Sequence, residues 1–449
     1  MSALQHAFWD ETCAQAFADE RLLAAMARFE GALALASARS GLVPEDAART
    51  IASVAATARF DAAALAPAAR RAGALSIPFV KQLTEKVAAV SPEAARYVHL
   101  GATSQDVIDT AVVLCLLPAT ERLQALSRRL GDAAAGLAKR HARTPMVART
   151  LLQPAVPVTF GWKAAVWLAM LARAHAHFRA AASEACVLQF GGAGGTLSSY
   201  GASGDEIARA LAAELGLAPA AVTWHSARDG YARLGAEAAI LTGTAGKIAR
   251  DVSLLMQPEV GEVAEPSGEG RGGSSAMPHK RNPVGSLAAL EAAQRAPGLA
   301  ATLLAQLAPE HERGLGHWQS QWYTLRDLLC SAGSALAAMA EVLEGLEVHE
   351  QAMRANLDRS RGLVYSENVA LRLAAALGKQ AAHALTEKLC EAAVRQGKDL
   401  IDVVRADPKV AAAMDAKEIP NLFNPESCTG ASAAMIERAL ALWAQSTRT

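Results

Sequence analysis

Between Gly261 and Pro283 the chain reads GEVAEPSGEGRGGSSAMPHKRNP, where glycine, serine, proline and charge interrupt two long helical patterns. A segment of this kind is either a functional loop or a linker. Ser274 and Ser275 stand shortly before Lys280 and Asn282. A hydroxyl pair with cationic and amide donors on a glycine-hinged segment can transfer a proton and bind an anion. Gly268, Gly270 and Gly273 also satisfy GxGxxG. No strand pattern precedes them and no GK[ST] follows, so a nucleotide fingerprint is rejected. His99 and His225 are lone histidines, candidates for substrate contact or for structural roles. Arg149, Arg271 and Arg313 are cations near these segments, suited to an anionic substrate or to internal ion pairs. His175 and His177 lie two apart in a helical segment and face different ways, and no HExxH occurs, so neither metal nor cofactor is expected.

Helices must position these groups. Apolar residues recur at helical spacing from Asp19 to Arg39, and short helices are expected around Pro44, Pro67 and Pro78. Leu123, Leu126, Leu130 and Leu137 open a set of long helices that continues over 161–188, 232–257 and 286–307. After Glu350 the helices shorten, with Gly362, Gly378 and Gly397 as breaks and Pro408, Pro420 and Pro425 crowding the end. The reading is an all-α chain in three helical domains: 1–110, a central long-helix bundle over 111–350 that carries the loop 261–283, and 351–449. Helices of 20 residues or more span about 30 Å, long enough to pack against helices of other subunits.

Composition agrees. Hydrophobic residues make up 52% of the 449 and aromatics only 5%, which favours close-packed helices over sheets. The 44 basic and 44 acidic side chains balance, which argues against a nucleic-acid partner. Six cysteines without paired spacing suggest reduced thiols. With no signal-peptide pattern and no run of about 20 apolar residues, a cytoplasmic location without membrane contact is expected.

The segment GSSAMPHKRNP, Gly273 to Pro283, resembles the signature loop of the fumarase, aspartase and adenylosuccinate lyase superfamily, GSSxMPxKxNP, at eight positions. HLGATSQDVIDTA from His99 and RTPMVARTLLQPAVPVTFG from Arg143 resemble that family's two other active-site regions, and ERGLGHWQSQW and GLVYSEN extend the likeness over nearly the whole chain. The resemblance implies an all-α homotetramer whose active sites are shared between subunits. It also implies that Ser274 is the catalytic serine and proton donor, and that Lys280 and Asn282 bind the carboxylate beside the reacting carbon. By the same likeness Thr103, Ser104, Gln105, Thr150 and Gln153 bind substrate, with His99, His225 and Arg313 as further contacts.

Three departures narrow the expected reaction. Fumarate-releasing members carry a histidine after the threonine of the second region, where this chain has Leu151. Adenylosuccinate lyases have another histidine in a segment that here reads AGALSIPF, Ala72 to Phe79, and a substrate-holding arginine where this chain has Trp322. FGGAGGTLSS from Phe190, WHSARD from Trp224 and GHWQSQW are instead similar to a cycloisomerase branch whose members lactonise a tricarboxylate diene. The alternatives are a fumarate-releasing elimination lyase and a catalytically silent structural homologue, such as the lens crystallins of this superfamily.

Overall fold

The computed structural model describes residues 3–268, 270–273, 277 and 279–448. The fold is all-α, with long helices at Asp19–Arg39, Ser104–Arg140, Phe160–Ala185, Asp229–Leu255, Val284–Leu304 and His317–Glu344. Among the described residues no helix is long and apolar enough to cross a membrane. The chain forms two compact units. The first comprises Met1–Leu126, Ala174–Gly243 and Glu291–Ala337, and the second Ser127–Arg173, Thr244–Leu290 and Ala338–Thr449. Each boundary falls inside one of the five longest-range helices just named from Ser104 onward.

In the first unit the Asp19–Arg39 helix begins with Asp19 and Glu20 and ends with Arg39, charges that suit the helix dipole. It buries Leu23, Met26, Phe29 and Leu33, and among them the carboxylate of Glu30. The Glu45–Thr57 helix approaches it closely: a Cβ on Gly31 would lie 3.2 Å from Ala52 Cα. The Ser104–Arg140 helix opens on a capping arrangement in which Thr103 accepts from the Val107 N–H at 3.4 Å and donates to Asp106 Oδ2 at 3.1 Å. Val107, Ala111, Val113, Leu116 and Leu123 of this helix are fully buried. Burying a valine or leucine contributes about 1.5–3 kcal/mol, so this stripe anchors the unit.

The His317–Glu344 helix is a long element that the sequence reading did not mark. Gly333 in its middle is a packing site. The Asp10 N–H donates to Cys330 O at 3.0 Å, and a Cβ on Gly333 would meet Asp10 Cβ at 2.6 Å. Asp10 is further held by Arg122 at 3.0 Å.

The second unit contains a β-hairpin that the sequence reading did not assign. Its strands, β1 (Pro145–Thr150) and β2 (Gln153–Thr159), pair antiparallel with Thr150 opposite Gln153 and an irregularity between Val147 and Arg149. The two-residue loop is Leu151-Leu152, with φ of 50° and 64°. Two-residue hairpins need positive φ and usually obtain it from Asn-Gly, so leucine there carries strain of about 1–2 kcal/mol per residue. The C-terminal helices bury Val369, Leu373, Leu389, Leu400 and Val404 in a core of their own. Trp443 covers Gly131 and donates its indole N–H to Asp132 Oδ1 at 2.8 Å.

Candidate active site

Two buried aspartates, one helical turn apart, organise the Thr103–Ser104 turn in the first unit. Asp106 accepts from the Thr103 N–H, from the N–H groups of Gly191 and Gly192 at 2.9 Å each, and from His225 Nε2 at 2.7 Å. It therefore ties the glycine loop after Phe190 to the turn. A side chain at Gly191 would collide with Thr223 Oγ1 at 2.4 Å, so glycine is required for that approach. Asp109 accepts from Arg228 at 2.7 and 3.2 Å, Trp318 Nε1 at 2.9 Å, Gln105 Nε2 at 3.1 Å and Gln189 Nε2 at 3.4 Å. The Arg228 guanidinium also lies over the Trp224 and Tyr231 rings, at 4.7 and 4.9 Å. A buried ion pair needs such further donors to offset its desolvation, and this one has them.

The structure brings six of the sequence candidates together here. Thr103 and Ser104 are half-buried at the start of the helix. Arg313, on an exposed segment, donates from Nη1 to Thr103 Oγ1 at 3.2 Å and from Nη2 to Ala193 O at 3.4 Å, bridging the turn and the glycine loop. His99 lies four residues before Thr103 with φ of 60° and pairs through Nδ1 with Glu30 Oε1 at 2.6 Å. Gln105 is fully buried, its amide spent on Asp109 and on His225 O at 2.9 Å. His225 is buried against Asp106. Asp106 and Asp109 were not singled out from the sequence. The signal for them is a pair of carboxylates three apart in the otherwise apolar stretch SQDVIDTAVVLC.

A cavity of about 710 Å³ lies beside this helix. Phe17, Leu22, Leu75, Ile108, Val112 and Trp322 supply its apolar wall. Two of the sequence departures, the 72–79 segment and Trp322, thus line one cavity. Trp322 stacks edge-on against Trp318, ring centroids 5.0 Å apart.

The remaining candidates belong to the second unit. Thr150 and Gln153 form the last rung of the hairpin, both exposed, beneath Leu151, which is 97% exposed. Arg149 is not free for substrate: it makes a two-pronged ion pair with buried Glu262 at 2.9 and 2.7 Å, and Asn356 adds a bond to the same carboxylate at 2.7 Å. Arg271 pairs with Glu341 at 3.2 Å. Around the 261–283 loop, Glu265 caps the Val284–Leu304 helix through Gly285 N, Ser286 N and Ser286 Oγ at 2.7–2.9 Å. The Asn282 N–H donates to Gly272 O at 2.8 Å, so the loop closes on itself. A Cβ on Gly272, at φ of 67°, would lie 2.6 Å from Asn282 O. Lys280 is exposed, and its backbone N–H donates to Met277 O at 3.0 Å. Ser274 and Ser275 lie outside the described residues.

The long-helix fold is that of a lyase-type enzyme. The chain belongs to the lyase family: residues 2–298 match the family model described as "Lyase", and residues 362–439 match that of the adenylosuccinate lyase C-terminus. It is 49% identical to a 3-carboxy-cis,cis-muconate cycloisomerase of Bradyrhizobium diazoefficiens, over 94% of both chains. It is 43% identical to a nitrosuccinate lyase of Streptomyces davaonensis, over 95% of this chain and 91% of that one. The solved structure of a 3-carboxy-cis,cis-muconate lactonizing enzyme from Pseudomonas putida superposes with a TM-score of 0.93 at 40% identity, over 99% of this chain and 100% of that one.

Proposed function

We propose that the protein is a 3-carboxy-cis,cis-muconate cycloisomerase, converting that tricarboxylate to 4-carboxymuconolactone in the protocatechuate branch of the β-ketoadipate pathway. The observation that carries the reading is the match to cycloisomerases over nearly the full chain, and Leu151, at the tip of the hairpin beside Thr150 and Gln153 with an aliphatic side chain that exchanges no proton, is compatible with it. Adding a carboxylate across an activated alkene needs no base, because a nucleophile with a pKa of about 4 is already ionised at neutral pH. In reverse the leaving group is the same carboxylate and needs no acid.

Two tasks remain. Charge that develops on the carbon beside a carboxylate must be stabilised, and one proton must reach that carbon. Lys280 and Asn282 are assigned the first task and Ser274 the second. Thr103, Ser104, Thr150, Gln153, His99 and Arg313 bind the substrate carboxylates, while the burial of Gln105 and His225 favours a role in holding the turn. No cofactor takes part. A cytoplasmic homotetramer with active sites shared between subunits, organised as regions 1–110, 111–350 and 351–449, completes the proposal.

The relatedness to a nitrosuccinate lyase favours one second reading, a fumarate-releasing elimination. An elimination whose leaving group is a stable anion is as indifferent to Leu151 as the lactonisation is. Adenylosuccinate, with its amine leaving group and bulky nucleotide, fits less well with Leu151 and with Trp322 in an apolar cavity. A silent structural role would leave the loop residues Ser274, Lys280 and Asn282 without a reason to be present together. Turnover in D2O, followed by proton NMR with 3-carboxy-cis,cis-muconate, nitrosuccinate and adenylosuccinate in separate tubes, tests the proposal. The expected product is a lactone bearing one new carbon–deuterium bond. Fumarate signals from either succinate, with the muconate untouched, would overturn it.

A further inference from the structure

Glu30 is a carboxylate inside the first unit whose side chain is wholly shielded from solvent. Its Oε2 has no hydrogen-bond partner among the described residues, and its Oε1 meets only the His99 ring, at 2.6 Å. A buried carboxylate with a single partner is tolerable when that partner carries the opposite charge. A contact this short is the mark of a charge-assisted bond. His99 is also held in a left-handed backbone conformation that costs a non-glycine residue energy, φ 60°, just before the Thr103–Ser104 turn. Tyr200 fastens the same segment by donating its hydroxyl to Leu100 O.

We propose that His99 binds a carboxylate of the substrate through Nε2–H, and that Glu30 is the positioning residue that fixes its ring through Nδ1. The inference rests on the cycloisomerase reading and adds to it a pH-gated anion anchor. With Nδ1–H committed to Glu30, a neutral ring presents a bare acceptor at Nε2, which repels a carboxylate. Only the imidazolium offers donors on both nitrogens, so substrate affinity requires the ring to be charged. The groups that surround it favour that state. Burial works against the charge, but Glu30 on the Asp19–Arg39 helix and Asp106 on the Ser104–Arg140 helix outweigh it and raise the His99 pKa above its ordinary value. Tyr200 faces the same carboxylates, and burial pushes its phenol far up, so it stays neutral. Arg313 is the neighbouring cation, spent on Thr103, and the His225 ring is bonded to Asp106.

The test uses the full-length protein labelled at histidine Cε1, with the His99 resonance assigned by its loss in His99→Gln. Its titration is followed by NMR, and KM and kcat are measured from pH 6 to 9 on the muconate. In the unaltered protein KM should climb as His99 loses its proton. Glu30→Gln, which keeps an acceptor for Nδ1–H but removes the charge, should move both the titration and the rise in KM to lower pH. One unit of displacement corresponds to about tenfold in KM at a fixed pH above the titration, with kcat changed far less. A displaced titration with an unmoved KM profile would reduce Glu30 to a structural role and overturn the proposal, as would an unmoved titration. His99→Gln should make KM independent of pH in this range, and persistence of the rise would also overturn it. Failure of the unaltered protein to turn over the muconate would sink the function reading and the substrate half of this inference together. The NMR titration would still judge the Glu30–His99 pair.

Discussion

His225 and Asp106, 119 residues apart in sequence, are joined by a 2.7 Å hydrogen bond with both side chains shut off from solvent. The same carboxylate receives three backbone N–H groups, from Thr103, Gly191 and Gly192. All four partners donate, so only a full carboxylate satisfies them. Asp106→Asn would present an amide donor to one of these donors. It should cost about 3–5 kcal/mol of unfolding free energy, and it should loosen the glycine loop on which Arg313 rests. Urea unfolding checks the first effect. A wild-type melting curve would mean that Asp106 is not the organising charge.

Leu151 and Leu152 occupy positive-φ positions at the hairpin tip. Replacing the pair by Leu151→Asn and Leu152→Gly should relieve backbone strain and raise the unfolding free energy by about 1–2 kcal/mol, net of the extra freedom glycine gives the unfolded chain. Lactonisation should persist within a few-fold, since the reaction asks no proton of this tip. Loss of activity by orders of magnitude in a stabler protein would assign the leucines a direct part in the chemistry.

The elevated His99 pKa also bears on stability. The folded state binds this proton more tightly than the unfolded chain, whose histidine titrates near 6.5. The stabilisation is therefore fully present below about pH 6.5 and is lost as pH rises through the higher folded value. Unfolding free energies at pH 6 and pH 9 should fall more for the unaltered protein than for Glu30→Gln. Equal pH dependence in the two would contradict the pairing.

Gly333 lies within the His317–Glu344 helix with Asp10 against it. Gly333→Ala gains helix propensity of about 1 kcal/mol but drives a methyl into Asp10 Cβ, and overpacking of this kind costs about 1–3 kcal/mol. The net expectation is a lower melting temperature. A rise would show that the Asp10 segment yields without cost.

These sites mark where the sequence was legible. The helices expected at 161–188, 232–257 and 286–307 are observed as Phe160–Ala185, Asp229–Leu255 and Val284–Leu304, because each buries a largely apolar stripe. His317–Glu344 was not marked from the sequence, and the reason for the glycine in its middle, Gly333, shows only once Asp10 is seen packed against it. The hairpin escaped because Leu-Leu lacks the Asn-Gly signal of a two-residue turn and prolines punctuate both strands. In the site, the threonine–serine turn became a candidate through its resemblance to the family's motif, and the lysine–asparagine loop through its residue types together with that resemblance. The burial of Gln105 and His225 was not readable, since both depend on the partners Asp106 and Asp109, which look like ordinary helix residues in the sequence.

Lys280 is exposed and, among the described residues, tied to the fold through its backbone N–H, so Lys280→Ala should leave helix content and melting temperature unchanged while lowering turnover by orders of magnitude. Ser274→Ala should abolish most activity if that hydroxyl delivers the proton. Full turnover in Lys280→Ala would refute its role, and a near-normal rate in Ser274→Ala would move the donor elsewhere.

The most direct measurement is the ultraviolet absorbance of 3-carboxy-cis,cis-muconate mixed with the purified protein, with nitrosuccinate and adenylosuccinate in parallel cuvettes. Loss of the conjugated-diene band in the muconate cuvette alone is the predicted result. Consumption of either succinate with the diene band intact would contradict the account.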